Sequence, residues 1–293
     1  GSTVTTGNQN IAVGYDAMSG GVVTGDNNIA IGVSAGDALT SGKQNVLVGR
    51  NAGGALTGLV DDTVAIGDNA LASQTVTVLG QVAIGANALT SISNALNNNL
   101  ANTAVGYNAL YSATNADGNV AIGKDALLDN VNANKNVAIG FKALQNFTNA
   151  SDTDTFNTII GYRAGYALES GVGQNTFIGA HAADTTSSGT KNVVIGYLAG
   201  DAIGDVDETV IIGNSAGAGA MGSTADGTIA IGYQSLTALT SGTQNTAIGY
   251  QALTANLVGD QNTAVGYTAL YGCIGTDEEQ ANVAVGREAG YGI

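Results

Sequence analysis

The chain has 293 residues, a length that in ordinary globular proteins means about two domains. Its composition excludes an average enzyme: 44 residues are glycine, none is proline or tryptophan, and charged residues reach 11%, against about 25% in ordinary soluble domains. Collagen and a disordered tail are excluded too, since proline is absent and 44% of the chain is hydrophobic, while a formal charge of −15 repels phosphate backbones and anionic lipid.

Neither a nucleic-acid partner nor membrane insertion is therefore expected. The sequence has no 18-residue apolar run and no basic segment leading into an apolar one at its start. Cys273 stands alone, so no intrachain disulfide framework is expected.

From the N-terminus, the first recognisable unit is Asn10-Ile11-Ala12-Val13-Gly14 and the second is Asn28-Ile29-Ala30-Ile31-Gly32. The glycine returns at Gly49, Gly67, Gly85, Gly106, Gly123, Gly140, Gly161, Gly179, Gly196, Gly213, Gly232, Gly249, Gly266 and Gly286, with spacings of 17 to 21 residues and a mean of about 18. These sixteen glycines are read as structural repeat positions that occupy residues 1–293 as a single repeat domain. The residue before each is Ile or Val. Three residues after it stands Ala, with Ser235 as the exception, and four before it stands Asn, replaced only by Thr63, Gln81, Thr209 and Thr228.

Each unit opens with a β-branched, apolar run bounded by Asn and Gly, which predicts a short strand. In Ile29-Ala30-Ile31 the two isoleucines share one face and Ala30 takes the other. The expectation is that the large face fills the interior of a coil and the Ala face lets a second chain approach. Leu47, Ile159, Phe177, Val194 and Ile211 at the Ala position would then mark local changes in that contact. After the glycine, x-x-Ala-Leu fits a second strand or one helical turn, and a run this short does not separate them. Turns written in Gly, Asn, Asp, Ser and Thr follow, as in Thr240-Ser241-Gly242-Thr243-Gln244.

A unit this short must stack on its neighbours, so the predicted fold is all-β: a parallel β-solenoid (β-roll) of about sixteen rungs of about 18 residues. At about 4.8 Å between strands it would make a rod of roughly 75 Å. The apolar content of a rung is thin against the entropy of ordering it, and association of chains, preferably as a homotrimer, would supply the missing burial. Stacked asparagines would form hydrogen-bonded ladders, and the glycine would mark a bend or a close backbone approach.

Several features along the chain could carry chemistry. Tyrosines fall at two places: Tyr15, Tyr107, Tyr162, Tyr197, Tyr233, Tyr250 and Tyr267 directly follow the glycine, and Tyr111, Tyr166, Tyr271 and Tyr291 lie five residues after it. Packing between rungs is the simpler role. A row of exposed rings such as Tyr107, Tyr250 and Tyr267 is the candidate recognition surface, since tyrosine offers an apolar body and a polar tip to a sugar.

Acidic residues gather in turns, as in Asp61-Asp62, Asp152 with Asp154, Asp205-Val206-Asp207-Glu208 and Asp277-Glu278-Glu279. They suit solvated turns better than Ca2+, the one cofactor such oxygen-rich clusters suggest, because neither a Gly-Gly-x-Gly-x-Asp repeat nor a helix-loop-helix calcium pattern is present. Asn146 and Asn149 match the short glycosylation pattern. Gly217-Ala218-Gly219-Ala220-Met221-Gly222 matches the dinucleotide fingerprint without its βαβ context, and His181 is expected to be an exposed side chain. Longer insertions between Gly85 and Gly106, Gly140 and Gly161, and Gly266 and Gly286 are candidate contact loops.

The units Asn245-Thr246-Ala247-Ile248-Gly249-Tyr250-Gln251-Ala252-Leu253 and Asn262-Thr263-Ala264-Val265-Gly266-Tyr267-Thr268-Ala269-Leu270 resemble repeats of bacteriophage tail fibres and related bacterial surface fibres. Their Ala-Ile-Gly core is similar, more distantly, to the head repeats of trimeric autotransporter adhesins, which are left-handed parallel β-rolls in homotrimers. The repeat here is longer than theirs. The resemblance implies a non-enzymatic, extracellular fibre shaft or adhesin on a virion or microbial surface. Its partners would be copies of itself, as a homotrimer or joined end to end, and a cell-surface glycan or receptor. The repeat is in phase from about Gly7 to Ile293, so a segment of a longer fibre is expected. The alternatives are a structural filament without receptor binding and an ice-binding solenoid, which would need a regular outward Thr or Asn array.

Overall fold

The computed structural model describes residues 6–57, 59–74, 79–92, 101–149, 151–169, 172–274 and 281–292. It is an all-β parallel solenoid with rungs of about 18 residues and no helix among the described residues. The chain divides into two compact units, Gly1–Asp154 and Thr155–Ile293.

The first unit contains β1 (Ile11–Val13), β2 (Ile29–Ile31), β3 (Val46–Val48), β4 (Val64–Ile66), β5 (Val82–Ile84), β6 (Thr103–Val105), β7 (Val120–Ile122), β8 (Ala133–Asn134), β9 (Val137–Ile139) and β10 (Thr153–Asp154). Its main sheet runs in parallel from β1 to β7 and on to β9, while β8 pairs with β10. The second unit contains β11 (Thr158–Ile160), β12 (Thr176–Ile178), β13 (Val193–Ile195), β14 (Val210–Ile212), β15 (Ile229–Ile231), β16 (Thr246–Ile248), β17 (Thr263–Val265) and β18 (Val283–Val285), paired in chain order. Each residue faces its equivalent one rung on, as Val64, Ala65 and Ile66 face Val82, Ala83 and Ile84.

The two faces of the strands are the reverse of the expected ones. Ala30, Ala65, Ala83, Ala104 and Ala121 are fully buried, whereas the flanking Ile and Val residues are half-buried or exposed and form the outer face. The interior is narrow, and its opposite wall decides the matter. The Ala three residues after the glycine and the Leu four after it also point inward, as Ala70 and Leu71 do, together with residues such as Leu39, Leu56 and Phe147 from the following turn. Leucine from that wall leaves room only for alanine on the strand.

The departures at the Ala position confirm this geometry. Leu47, Ile159, Phe177, Val194 and Ile211 are fully buried, and the residues six positions later are Gly53, Gly165, Ala183, Gly200 and Gly217. A Cβ on Gly53 would lie 2.8 Å from Leu47 Cδ2 and 2.7 Å from Leu56 Cδ1. One wall gives up volume where the other gains it, as close packing requires.

The segment after the glycine is neither strand nor helix. Its second and fourth residues have positive φ in every rung, as with Asn69 (54°) and Leu71 (52°), which breaks both regular geometries. Holding a leucine in this conformation costs about 1–2 kcal/mol. Cross-rung bonds offset it: Asn69 N–H donates to the Arg50 carbonyl at 2.9 Å, and Leu71 N–H donates to the Ala88 carbonyl at 2.9 Å on the other side.

Asparagine stitches the interior. Asn45 Nδ2 donates to Asn28 Oδ1 (3.0 Å) and to the Val60 carbonyl (2.7 Å), and Asn45 N–H donates to the same Asn28 oxygen (3.0 Å). The pattern recurs from Asn102 through Asn119 to Asn136 and from Asn245 through Asn262 to Asn282. Such fully bonded amides tolerate complete burial. Gln81 departs from the ladder: its Oε1 accepts from Asn102 N–H at 2.9 Å, but its buried Nε2 has no partner.

Candidate functional site

Three outward columns follow from this rung. The strand contributes Ile, Val and Thr at its two outer positions, none of them charged in any of the sixteen rungs. Ile31, Ile66, Ile84, Ile122 and Ile248 are exposed on this face. Directly after the glycine comes the tyrosine column, and the next residue, held at positive φ, adds a column of Asn, Asp, Gln, Ser or Thr in many rungs.

The tyrosines pack between rungs and are exposed as well. Tyr233, Tyr250 and Tyr267 stack with centroids 5.1 Å apart and ring planes 16° and 8° from parallel. Tyr271 and Tyr291 form a second stack at 5.2 Å and 5°. At these separations the rings are offset rather than face to face, and Tyr233, Tyr250, Tyr267 and Tyr291 are exposed.

A trough of about 390 Å³ lies between the two stacks in the second unit, lined by Gln251, Tyr267, Thr268, Tyr271, Glu288 and Tyr291. Its floor includes Gln251, whose Nε2 donates to Gln234 Oε1 at 2.8 Å. Thr268 is buried, and its hydroxyl has no hydrogen-bond partner. The first unit carries a related trough at equivalent positions, with a single tyrosine from each column: about 420 Å³, lined by Asn87, Tyr107, Asn108, Tyr111, Ser112 and Asp129 with Leu128. Asn87 Nδ2 donates to Asn108 Oδ1 at 3.1 Å along that floor. A cation sits 5.6 Å over the tyrosine ring in both, Lys124 over Tyr107 and Arg287 over Tyr267. Burial, with the nearby Asp125 charge second, raises the Asp129 pKa above its ordinary 3.8.

Elsewhere in the second unit, charged side chains tie the equivalent columns together. Arg163 Nε donates to both oxygens of Asp184 at 3.2 Å, and His181 Nδ1 lies 2.7 Å from Asp184 Oδ2. His181 is thus not the free surface side chain expected from its variable position: it is two-thirds buried, and its ring meets those of Tyr162 and Tyr197 edge-on at 5.1 and 6.5 Å. The hydrogen bond to Asp184 raises the Arg163 pKa. Burial first, and the Asp184 charge second, raise that of Asp201, partly opposed by His181 and Arg163.

The acidic turns have a structural task. Asp61 Oδ1 accepts from Lys43 N–H at 2.7 Å, Asp207 Oδ1 from Thr190 N–H at 2.6 Å, and Asp260 Oδ1 from Thr243 N–H at 2.7 Å, each one rung back. Among the described residues no three His, Cys, Asp or Glu side chains come close enough to hold a metal. Asp277, Glu278 and Glu279 lie outside the described residues, as does part of each of the three longer insertions. Asn149, one of the two glycosylation matches, is buried and donates to Thr153 Oγ1 at 2.6 Å. The glycine run at 217–222 is irregular backbone after a turn, with Met221 buried, and no helix follows it to hold a phosphate. No described helix is long and apolar enough to cross a membrane.

No family model matches the chain, and neither the curated proteins nor the solved structures compared with it contain a significant match.

Proposed function

We propose that this chain is the shaft or adhesive region of an extracellular fibre, of the kind carried by phage tails or microbial surfaces, and that it works without catalysis as an assembly of copies, preferably a homotrimer. The observation that carries this reading is the uncharged, β-branched outer face. In each unit it measures about 38 Å by about 10 Å for eight three-residue strands, on the order of 400 Å². Each such area is about half of the roughly 800 Å² that one partner contributes to a standard stable interface. The copies therefore meet through Ile and Val rather than through Ala. Function follows from length, stiffness and repeated display, with weak contacts to a surface glycan or receptor summed by multivalency.

Ice binding is less well supported. The asparagine ladder points inward, and only Thr103, Thr158, Thr176, Thr246 and Thr263 interrupt the apolar outer column with hydroxyls.

Light scattering with negative-stain imaging tests the assignment. Wild type is expected to form a discrete trimer, and Ile84→Glu with Ile122→Glu is expected to yield a monomer with an unchanged circular dichroism spectrum. A monomeric wild type would refute the association, and unlimited end-to-end polymers would favour a purely structural filament.

A further inference from the structure

We propose that the two tyrosine troughs are binding sites for an uncharged, extended β-1,4-linked hexopyranose chain lying lengthwise across the rungs; this rests on the adhesive reading above and names the ligand class of its surface. Four observations converge on it. The troughs recur at equivalent rung positions in both units, with tyrosines from the same two columns and a floor of amide or hydroxyl side chains. Their volumes of about 390 and 420 Å³ fall within the range of small-molecule sites. The Thr268 hydroxyl is buried in the lining without a partner, a hydrogen bond that a ligand hydroxyl can complete. Finally, in the second unit the ring centroids repeat every 5.1 to 5.2 Å.

That period selects the ligand. An extended β-1,4-linked chain advances by about one rung per sugar, so in the second unit successive pyranose rings meet successive tyrosines in register, whereas in the first unit, where Ala86 and Lys124 hold the tyrosine position on the neighbouring rungs, Tyr107 and Tyr111 offer contact at one rung. A coiled α-1,4-linked chain of the same sugar loses register after the first contact. Offset tyrosines present part of a ring face to sugar C–H groups and a hydroxyl to sugar oxygens, the two surfaces a hexopyranose offers. Charge selects as well. The linings hold one carboxylate each, Asp129 or Glu288, and a cation stands over the tyrosine of each, Lys124 or Arg287, so both signs are already present at each trough and an uncharged chain fits without adding a further charge.

Calorimetric titration of the full chain with cello-oligosaccharides of two to six sugars, and with maltohexaose, tests the proposal. Affinity is expected to rise by roughly tenfold or more from cellobiose to cellohexaose as register contacts add. Maltohexaose should bind no better than a disaccharide. Tyr107→Ala with Tyr267→Ala should abolish the length dependence, and Thr268→Val, which keeps shape and removes the hydroxyl, should weaken binding several-fold in a chain of unchanged circular dichroism. No heat with cellohexaose at millimolar concentration, equal affinity for maltohexaose, or unchanged binding by the tyrosine variant would each overturn it. Light scattering on the same samples separates the two ideas: a trimer that binds no glucan sinks the ligand and leaves the fibre.

Discussion

The glycine column can be probed within one rung. Gly227 and Gly232 both have positive φ, 67° and 133°, but their surroundings differ. A Cβ on Gly227 would have Gln244 Cγ at 3.6 Å, an ordinary contact. On Gly232 it would lie 2.3 Å from the Gly249 carbonyl oxygen and 2.6 Å from its carbon. Gly227→Ala should therefore cost only the left-handed conformation, about 1–2 kcal/mol. Gly232→Ala adds a collision between backbones. Relieving it requires the rungs to part by about 1 Å, which stretches Gly249 N–H to Ile231 O (2.8 Å) and Gln251 N–H to Tyr233 O (2.9 Å) beyond bonding range. Two lost ladder bonds at about 1 kcal/mol each, with about 1–3 kcal/mol for the backbone conformation, place the variant near or above the roughly 4 kcal/mol that marks an exceptional substitution. Urea denaturation followed by circular dichroism gives the two costs, and hydrogen exchange at Gly249 and Gln251 locates the damage. Equal costs for the two alanines would refute the stacking explanation of the column.

Three further outcomes follow from particular residues. Gln81→Asn should restore the amide ladder and remove a buried donor without a partner, raising stability by about 1–3 kcal/mol; a lower unfolding midpoint in urea would contradict it. Asp201 has a folded pKa above its ordinary 3.8, so the folded state binds its proton more tightly and its ionisation is a penalty, present at neutral pH and relieved as pH falls through the folded value. Asp201→Asn should therefore be more stable than wild type at pH 7 by an amount that vanishes at about pH 3, below the ordinary carboxylate range, as urea titrations at the two pH values would show. Cys273 is buried, and burial raises its pKa, so its reaction with a thiol reagent should be slow in the folded chain and accelerate along the unfolding transition of the second unit. Fast labelling without unfolding would contradict that burial.

Much of this was legible in the chain. The recurrence of Gly14 through Gly286 fixed the rung, and Asn28 over Asn45 implied the ladder, because identical residues at one period must stack. The inward face was not legible. Val64-Ala65-Ile66 alternates perfectly over three residues, and alternation separates the two faces without saying which of two apolar faces lies inside. The missing signal sat one half-rung away, where Gly53 accompanies Leu47 and Leu71 accompanies Ala65. The turn-like second half was hidden for another reason: leucine at positive φ contradicts its own preference, and only the bonds to neighbouring rungs hold Leu71 there. The His181 cluster could have been found by aligning rungs, since Arg163 and His181 occupy the same place after successive glycines and Asp184 stands three residues beyond His181.

The inverted strand also changes the case for association. With the large side chains inside, a rung would contain its own apolar surface and a second chain would meet a smooth wall of alanine. With Ala83 inside and Val82 and Ile84 outside, the largest apolar groups of the strand remain in contact with water, and the interior is held as much by amide bonds as by hydrocarbon. The charge is distributed accordingly. No carboxylate occupies the outer columns of the sixteen Ile, Val and Thr strands, and Asp61, Asp207 and Asp260 cap main-chain N–H groups in turns, so repulsion is displaced from the face where close approach removes apolar area from water. If copies associate through this face as proposed, the stability of the solenoid in isolation should be lower than in the assembly by the burial of that face.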